Sequence, residues 1–135
     1  MCSNSHAGFI EDEEEKHMLK KSKDALDPQS WCGLNRPDRK ETEVDAVLFG
    51  IPFDGGVSYR GGAAAAPEIL RANTKHSTPS TERLYYYDKF NILDAGDFVN
   101  ENRDALFAEV QEYVRELVKN NVRFTMVGGD HSVTI

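Results

Sequence analysis

Three short apolar runs recur along the chain, each closed by glycine or by acidic residues. Residues 44–49 end at Gly50, residues 90–93 end at Asp94-Ala95-Gly96-Asp97, and residues 122–127 end at Gly128-Gly129. Runs this short, rich in β-branched and aromatic side chains, predict buried strands. Between the second and third, Leu106, Phe107, Val110, Tyr113, Val114, Leu117 and Val118 repeat at steps of three and four. That period predicts an amphipathic helix over 104–120, with Glu109, Glu112, Arg115, Glu116 and Lys119 on its wet face. Asn102 or Asp104 can cap its start, and Asn120-Asn121 can end it in the left-handed conformation. A shorter helix is predicted at Pro67, whose missing N–H costs nothing in a first turn and whose neighbour Glu68 suits the positive helix end. Ile69 and Leu70 supply its apolar face.

Strands alternating with helices predict parallel pairing and helices on both faces of the sheet. The three loops after the strands, around Asp54, Asp97 and His131, then open on one edge, where ligands of such sheets collect. The first loop, between residue 50 and Pro67, is long and carries Gly55, Gly56, Gly61 and Gly62. Long ordered loops in compact domains tend to be functional, so Asp54, Tyr59 and Arg60 are candidate binding groups, although a plain surface loop would look the same. Neither glycine-rich phosphate motif has its required spacing here, which argues against a nucleotide site. In the last loop Gly128-Gly129 delivers His131 to the sheet edge; alternatively, Asp130 or Ser132 only caps a following helix. Asp94 and Asp97 around a glycine read first as turn chemistry.

The remaining stretches frame this body. Tyr85-Tyr86-Tyr87 and Phe90 are predicted to turn inward, and residues 76–83 to form a polar surface connection. Residues 27–38 read as a loop pinned by Trp31. Residues 10–23 pass from acidic to basic; an Asp12–Lys16 pair would add only about 0.2–0.5 kcal/mol to a helix there, and a partner-docking tail is the alternative. The predicted division is an arm and loop over 1–43 and an α/β unit over 44–135. A helix that begins at Ser132 and meets the last residue at 135 predicts a piece of a longer α/β protein.

With 39% hydrophobic and 10% aromatic residues the chain is compositionally globular. A net charge of −7 argues against nucleic acid or an anionic membrane as the main partner and favours a cationic small molecule. Cys2 and Cys32 are too few and too scattered for a disulfide framework, there is no signal-type N-terminus, and no run is apolar enough to span a bilayer. A cytoplasmic setting is the expectation.

Four motifs stand in a telling order: Gly50-Ile-Pro-Phe-Asp-Gly-Gly56, Arg60-Gly-Gly62 closing on Pro67-Glu-Ile-Leu-Arg71, Asp94-Ala-Gly-Asp97 and Gly128-Gly-Asp-His-Ser132. Together, over 44–135, they resemble the ureohydrolase family of arginases, agmatinases, guanidinobutyrases and formiminoglutamases, agmatinases above all. The resemblance implies a three-layer α/β sandwich around a parallel sheet and a binuclear Mn2+ centre. It makes His131 the first metal ligand and places Asp54, Tyr59 and Arg60 at the mouth of a pocket for a cationic guanidino substrate. It further implies hydrolysis of a guanidino C–N bond to urea and an amine, as in polyamine biosynthesis, by a homo-oligomer. The family's later Asp-Ala-His-x-Asp and Asp-x-Asp motifs do not occur in these residues, so no catalytic residue is assigned and the 135-residue chain is expected to be inactive. Ala66 stands where the family commonly has glycine, which puts the path of that loop in question. A non-catalytic interaction module and a phosphate-binding domain are the competing readings.

Overall fold

The computed structural model describes residues 19–134. Cys2, the Asp12–Lys16 pair and Ile135 lie outside the described residues. The three apolar runs form strands β1 (Ala46–Ile51), β2 (Ile92–Asp97) and β3 (Phe124–Gly128), with helices α1 (Ala66–Asn73) and α2 (Arg103–Lys119) between them. β1 pairs in parallel with both other strands, giving the order β2-β1-β3. The chain therefore leaves β2, runs through α2 and returns on the far side of β1.

Alternate residues of a strand face opposite layers. Val47, Phe49 and Ile51 point to one face, where they meet Phe98 and the inner stripe of α2, namely Leu106, Val110, Tyr113 and Leu117. Phe49 packs edge-on against Phe98 and Tyr113, at centroid distances of 5.7 and 5.3 Å. On the other face α1 comes so close that a Cβ on Gly50 would stand 2.9 Å from Pro67 Cβ. The result is the helix–sheet–helix sandwich expected of the pattern. α2 also starts and stops as its sequence predicts: Asn102 Oδ1 accepts from the Ala105 N–H at 3.0 Å, and Asn121 takes the left-handed conformation with φ 56°. Ala66 sits in ordinary helical geometry, φ −58° and ψ −45°, so a residue with a side chain is accommodated before Pro67.

Three details differ from the sequence pattern. β2 continues through Asp94-Ala95-Gly96-Asp97, which reads as a loop, because a bulge lets it: the register slips between Leu48 and Phe49, and Gly96 takes φ 97°. A Cβ on Gly96 would come within 2.7 Å of Lys20 O, so glycine there also lets residue 20 pair with Asp97. In α1 the buried residues are Pro67 and Arg71, while Ile69 and Leu70 are exposed. The tyrosines turn outward, since residues 79–87 close on themselves through Thr81 N–Tyr85 O at 2.9 Å and Tyr87 N–Pro79 O at 2.8 Å.

Residues 20–36, within the stretch set apart as an arm, lie along the outer side of β2. Lys20 exchanges backbone hydrogen bonds with Asp97, and residues 34–36 bracket Ile92 through Ile92 N–Leu34 O and Arg36 N–Ile92 O. Trp31 anchors this segment as its sequence suggests, donating from Nε1 to Asp94 Oδ2 at 2.7 Å. No helix among the described residues is long and apolar enough to cross a membrane.

Candidate functional site

Parallel strands end together, so the loops after β1 and β3 emerge side by side. They are joined by three hydrogen bonds. Gly129 N donates to Ile51 O at 3.0 Å and Asp130 N to Phe53 O at 2.9 Å. Gly56 N donates to Asp130 Oδ2 at 2.8 Å. The approach is so close that a Cβ on Gly129 would lie 1.8 Å from Phe53 O, so only glycine fits.

Asp130 does more than cap a turn. Its Oδ1 accepts from the Ser132 N–H at 2.8 Å and from the Ser132 hydroxyl, while Oδ2 holds the neighbouring loop. The Ser132 hydroxyl, with the backbone N–H groups of Ser132 and Gly56, holds its pKa below the ordinary carboxylate range against a smaller opposing effect of burial. His131 opens a 3-10 turn, His131–Thr134, where an α-helix beginning at Ser132 is predicted. Val133 drops into the core and fixes the turn, while the His131 side chain is exposed at the sheet edge. Among the described residues none hydrogen-bonds its imidazole, which leaves both ring nitrogens available to a ligand.

The loop after β1 is closed by Asp54, whose Oδ2 accepts from Gly62 N at 2.8 Å. Phe53 buttresses it from below by meeting Phe107 of α2 edge-on at 5.5 Å, with the Arg103 guanidinium 5.4 Å over the Phe107 ring. Tyr59 and Arg60 stand further out. Tyr59 is 86% exposed, and the Arg60 guanidinium stacks 5.4 Å above its ring. The fold thus brings the Asp54 and His131 loops together and leaves the Tyr59–Arg60 pair at their outer rim.

The third strand-end element is committed elsewhere. Arg71, fully buried, clamps both carboxylates of β2: Nε and Nη2 donate to Asp94 at 2.7 and 3.0 Å, and Nη2 and Nη1 donate to Asp97 at 2.8 and 2.9 Å. Burial alone would lower the guanidinium pKa, but the hydrogen bonds to Asp97 and Asp94 outweigh it and leave the pKa raised. Asp97 is therefore a structural ion-pair partner. Among the described residues no three His, Cys, Asp or Glu side chains stand together as a metal site, and His131 offers one ligand only. These residues do not make a metal centre by themselves.

Two participants escape sequence reasoning. Asp130 reads locally as a cap, because its partner Gly56 lies 74 positions away, and Arg71 enters only as the last residue of a motif, with no role assigned. The only hint to either is position: one is beside a double glycine, the other one turn after Glu68.

Comparison with known proteins bears on this edge. The model of the family described as "Arginase family" matches residues 44–135. Proclavaminate amidinohydrolase of Streptomyces clavuligerus is 37% identical over 102 residues, covering 73% of this chain and 33% of that protein. The solved agmatine ureohydrolase of Thermoplasma volcanium superposes with a TM-score of 0.63 at 28% identity, covering 86% of this chain and 36% of its own. The Trypanosoma cruzi formiminoglutamase solved with Mn2+ shares the fold, with a TM-score of 0.61 at 20% identity over 72% of this chain and 34% of that one. The chain spans about a third of the length of the curated relatives it matches.

Proposed function

The chain belongs to the arginase family, and on that premise we propose that it supplies the His131 turn and the Asp54 loop of an agmatinase-type ureohydrolase site. In a protein of the relatives' full length, that site hydrolyses a guanidino C–N bond to urea and an amine. Its metal is manganese, as in the formiminoglutamase of the same fold, and His131 is one ligand among others that come from outside the described residues. An unprotonated imidazole nitrogen suits such an ion. Asp54 and the Tyr59–Arg60 rim act on substrate choice.

One observation carries this reading: the glycine turn bearing His131 and the loop bearing Asp54 are bound to each other at the carboxyl edge of a parallel sheet, through Asp130 and Gly56. Half-buried carboxylates on the same edge as an uncommitted imidazole fit a cationic substrate next to a metal. The test is urea release by a protein of full family length, with agmatine, arginine, guanidinobutyrate and the amidino derivative of proclavaminate offered in turn, with and without Mn2+. Manganese-dependent release from one of them, lost in His131→Ala, is the expected result. No release from any guanidino compound would defeat the proposal. The lack of a three-donor cluster among the described residues favours, for the 135-residue chain assayed alone, the second reading of a non-catalytic module.

A further inference from the structure

We propose that Asp130 is a positioning residue, a latch that fixes the substrate-side loop after β1 against the turn that presents His131. The proposal rests on the reading of this edge as a ureohydrolase site and deepens it.

The two loops share two kinds of link. Gly129 N–Ile51 O and Asp130 N–Phe53 O simply prolong the β1–β3 ladder, whose last register pair is Ile51 with Gly128. They stop at Phe53 and do not reach Asp54. Beyond that point the chain turns away through two glycines and, among the described residues, is hydrogen-bonded back to the β3 turn by one group, the Asp130 carboxylate, which accepts from Gly56 N. The same carboxylate holds Ser132 N and Oγ on its other oxygen. Residues on both sides of His131 are thereby set by the anion that also sets the loop two positions after Asp54. Gly56 is shaped for this contact: a Cβ there would stand 3.0 Å from Ser132 Oγ and 3.1 Å from Asp130 Oδ2.

A charged acceptor shared among three donors is stronger than a neutral one, and an exposed backbone amide without it exchanges freely. Removing the carboxylate leaves the ladder bonds, the Gly129 contact and the Val133 anchor in place. The fold should survive while the 54–62 loop loosens.

The test is residue-resolved amide exchange on the 135-residue chain as wild type, Asp130→Ala, Asp130→Asn and Ser132→Ala. In Asp130→Ala, exchange at Gly56 should speed up about tenfold while Val47 and Phe49 in β1 are unchanged. Asp130→Asn keeps one acceptor oxygen, so Ser132 should stay protected while Gly56 is released; Ser132→Ala should leave Gly56 slow. Unchanged exchange at Gly56 in Asp130→Ala would overturn the latch. So would β1 amides that speed up together with Gly56 in both Asp130 variants.

In a protein of the relatives' length, Asp130→Ala should raise KM for the guanidino substrate about tenfold and lower kcat less than threefold, since loop placement acts on binding. A fall in kcat with KM unchanged would count against it. A wild-type protein that releases no urea would defeat the proposed function alone and leave the exchange result to decide the latch.

Discussion

The two sides of the sheet are built on different terms. Along β2 the edge is paired by residues 20 and 34–36, its two aspartates are clamped by Arg71, Trp31 Nε1 donates to Asp94, and Asn35 accepts from Asp94 N at 3.0 Å. Among the described residues no buried side-chain polar atom lacks a partner. Along β3 the strand has, among the described residues, β1 on one side only, its residues are half-buried or exposed, and the groove between it and α2, about 240 Å³, is mostly apolar, with Phe107, Val114, Phe124 and Met126 in its walls beside Gln111 and Thr134. The closed side holds no candidate site residue. The open side carries His131 and Asp130, so stability and candidate chemistry are concentrated on opposite edges of one three-stranded sheet.

The strongest way to break this contrast is Arg71→Met. It strands two carboxylates, one wholly buried, and removing one partner of a buried ion pair costs about 3–5 kcal/mol, a large share of the stability of a small domain. Urea denaturation should show a chain that is unfolded or nearly so at neutral pH. A midpoint close to that of wild type would mean that the β2 side is not where stability resides.

Next comes Gly129→Ala. Its methyl group would meet Phe53 backbone oxygen at 1.8 Å, and backbone cannot swing aside as a side chain can. Overpacking of this kind costs about 1–3 kcal/mol. Gly61→Ala is the control, since its Cβ would meet Asp54 Oδ2 at an ordinary 3.4 Å. Equal melting temperatures for the two variants would contradict the tight seating of the His131 turn.

These two positions also show what could be read from the sequence. Periodicity locates β1, β3 and α2 to within two residues and the start of β2 equally well, because burial on a strand or helix face leaves a regular pattern in the chain, but it ends β2 four residues early, at the bulge. Asn102 and Asn121 were legible for a local reason: caps act on neighbours. The buried guanidinium was not legible. Hydropathy assigns α1 an Ile69–Leu70 face, yet Arg71 is the side chain inside, because its charge is met by Asp94 and Asp97 more than twenty positions away. Tyr85, Tyr86 and Tyr87 fail in the opposite sense: their apolar character suggests a core, but the local turn aims them at solvent. At the candidate site the glycines and His131 were visible as a motif, whereas the use of Asp130 to join two loops depends on pairing that only the folded sheet creates.

The open edge should itself be detectable. A mostly apolar groove beside a strand edge that no described residue pairs is a surface that dyes and other proteins find, so the 135-residue chain should bind an anilinonaphthalene sulfonate probe and tend to self-associate. Val114→Gln, at the groove wall, should reduce dye binding severalfold while the far-ultraviolet spectrum is kept. A wild-type chain that binds no dye and melts sharply as a monomer would show that the β3 side is as well closed as the β2 side.

The smallest effect belongs to the rim of the closed side. Lys75 Nζ reaches Asp24 at 2.6 Å and Asp27 at 2.8 Å, tying residues 24–27 to the end of α1. The hydrogen bond from Lys75 is the main reason that both aspartates are held below their ordinary value of 3.8, and the bonds to Asp24 and then Asp27 raise the Lys75 pKa above 10.5. An acid with a lowered folded pKa stabilises above its unfolded value and loses that contribution as pH falls through the folded one. A raised lysine does the reverse, stabilising below 10.5 and losing its contribution as pH climbs through the raised value. The cluster therefore contributes most between about pH 4 and 10, and Lys75→Met should differ from wild type only inside that window. All three groups still reach solvent at the rim, so the difference should be no more than a degree or two in Tm and should shrink in high salt. Melting curves at pH 3, 7 and 11 check this: a gap that widens at pH 3 would reverse the sign expected of lowered aspartates, and a large gap at pH 7 would place the rim among the main supports of the β2 side.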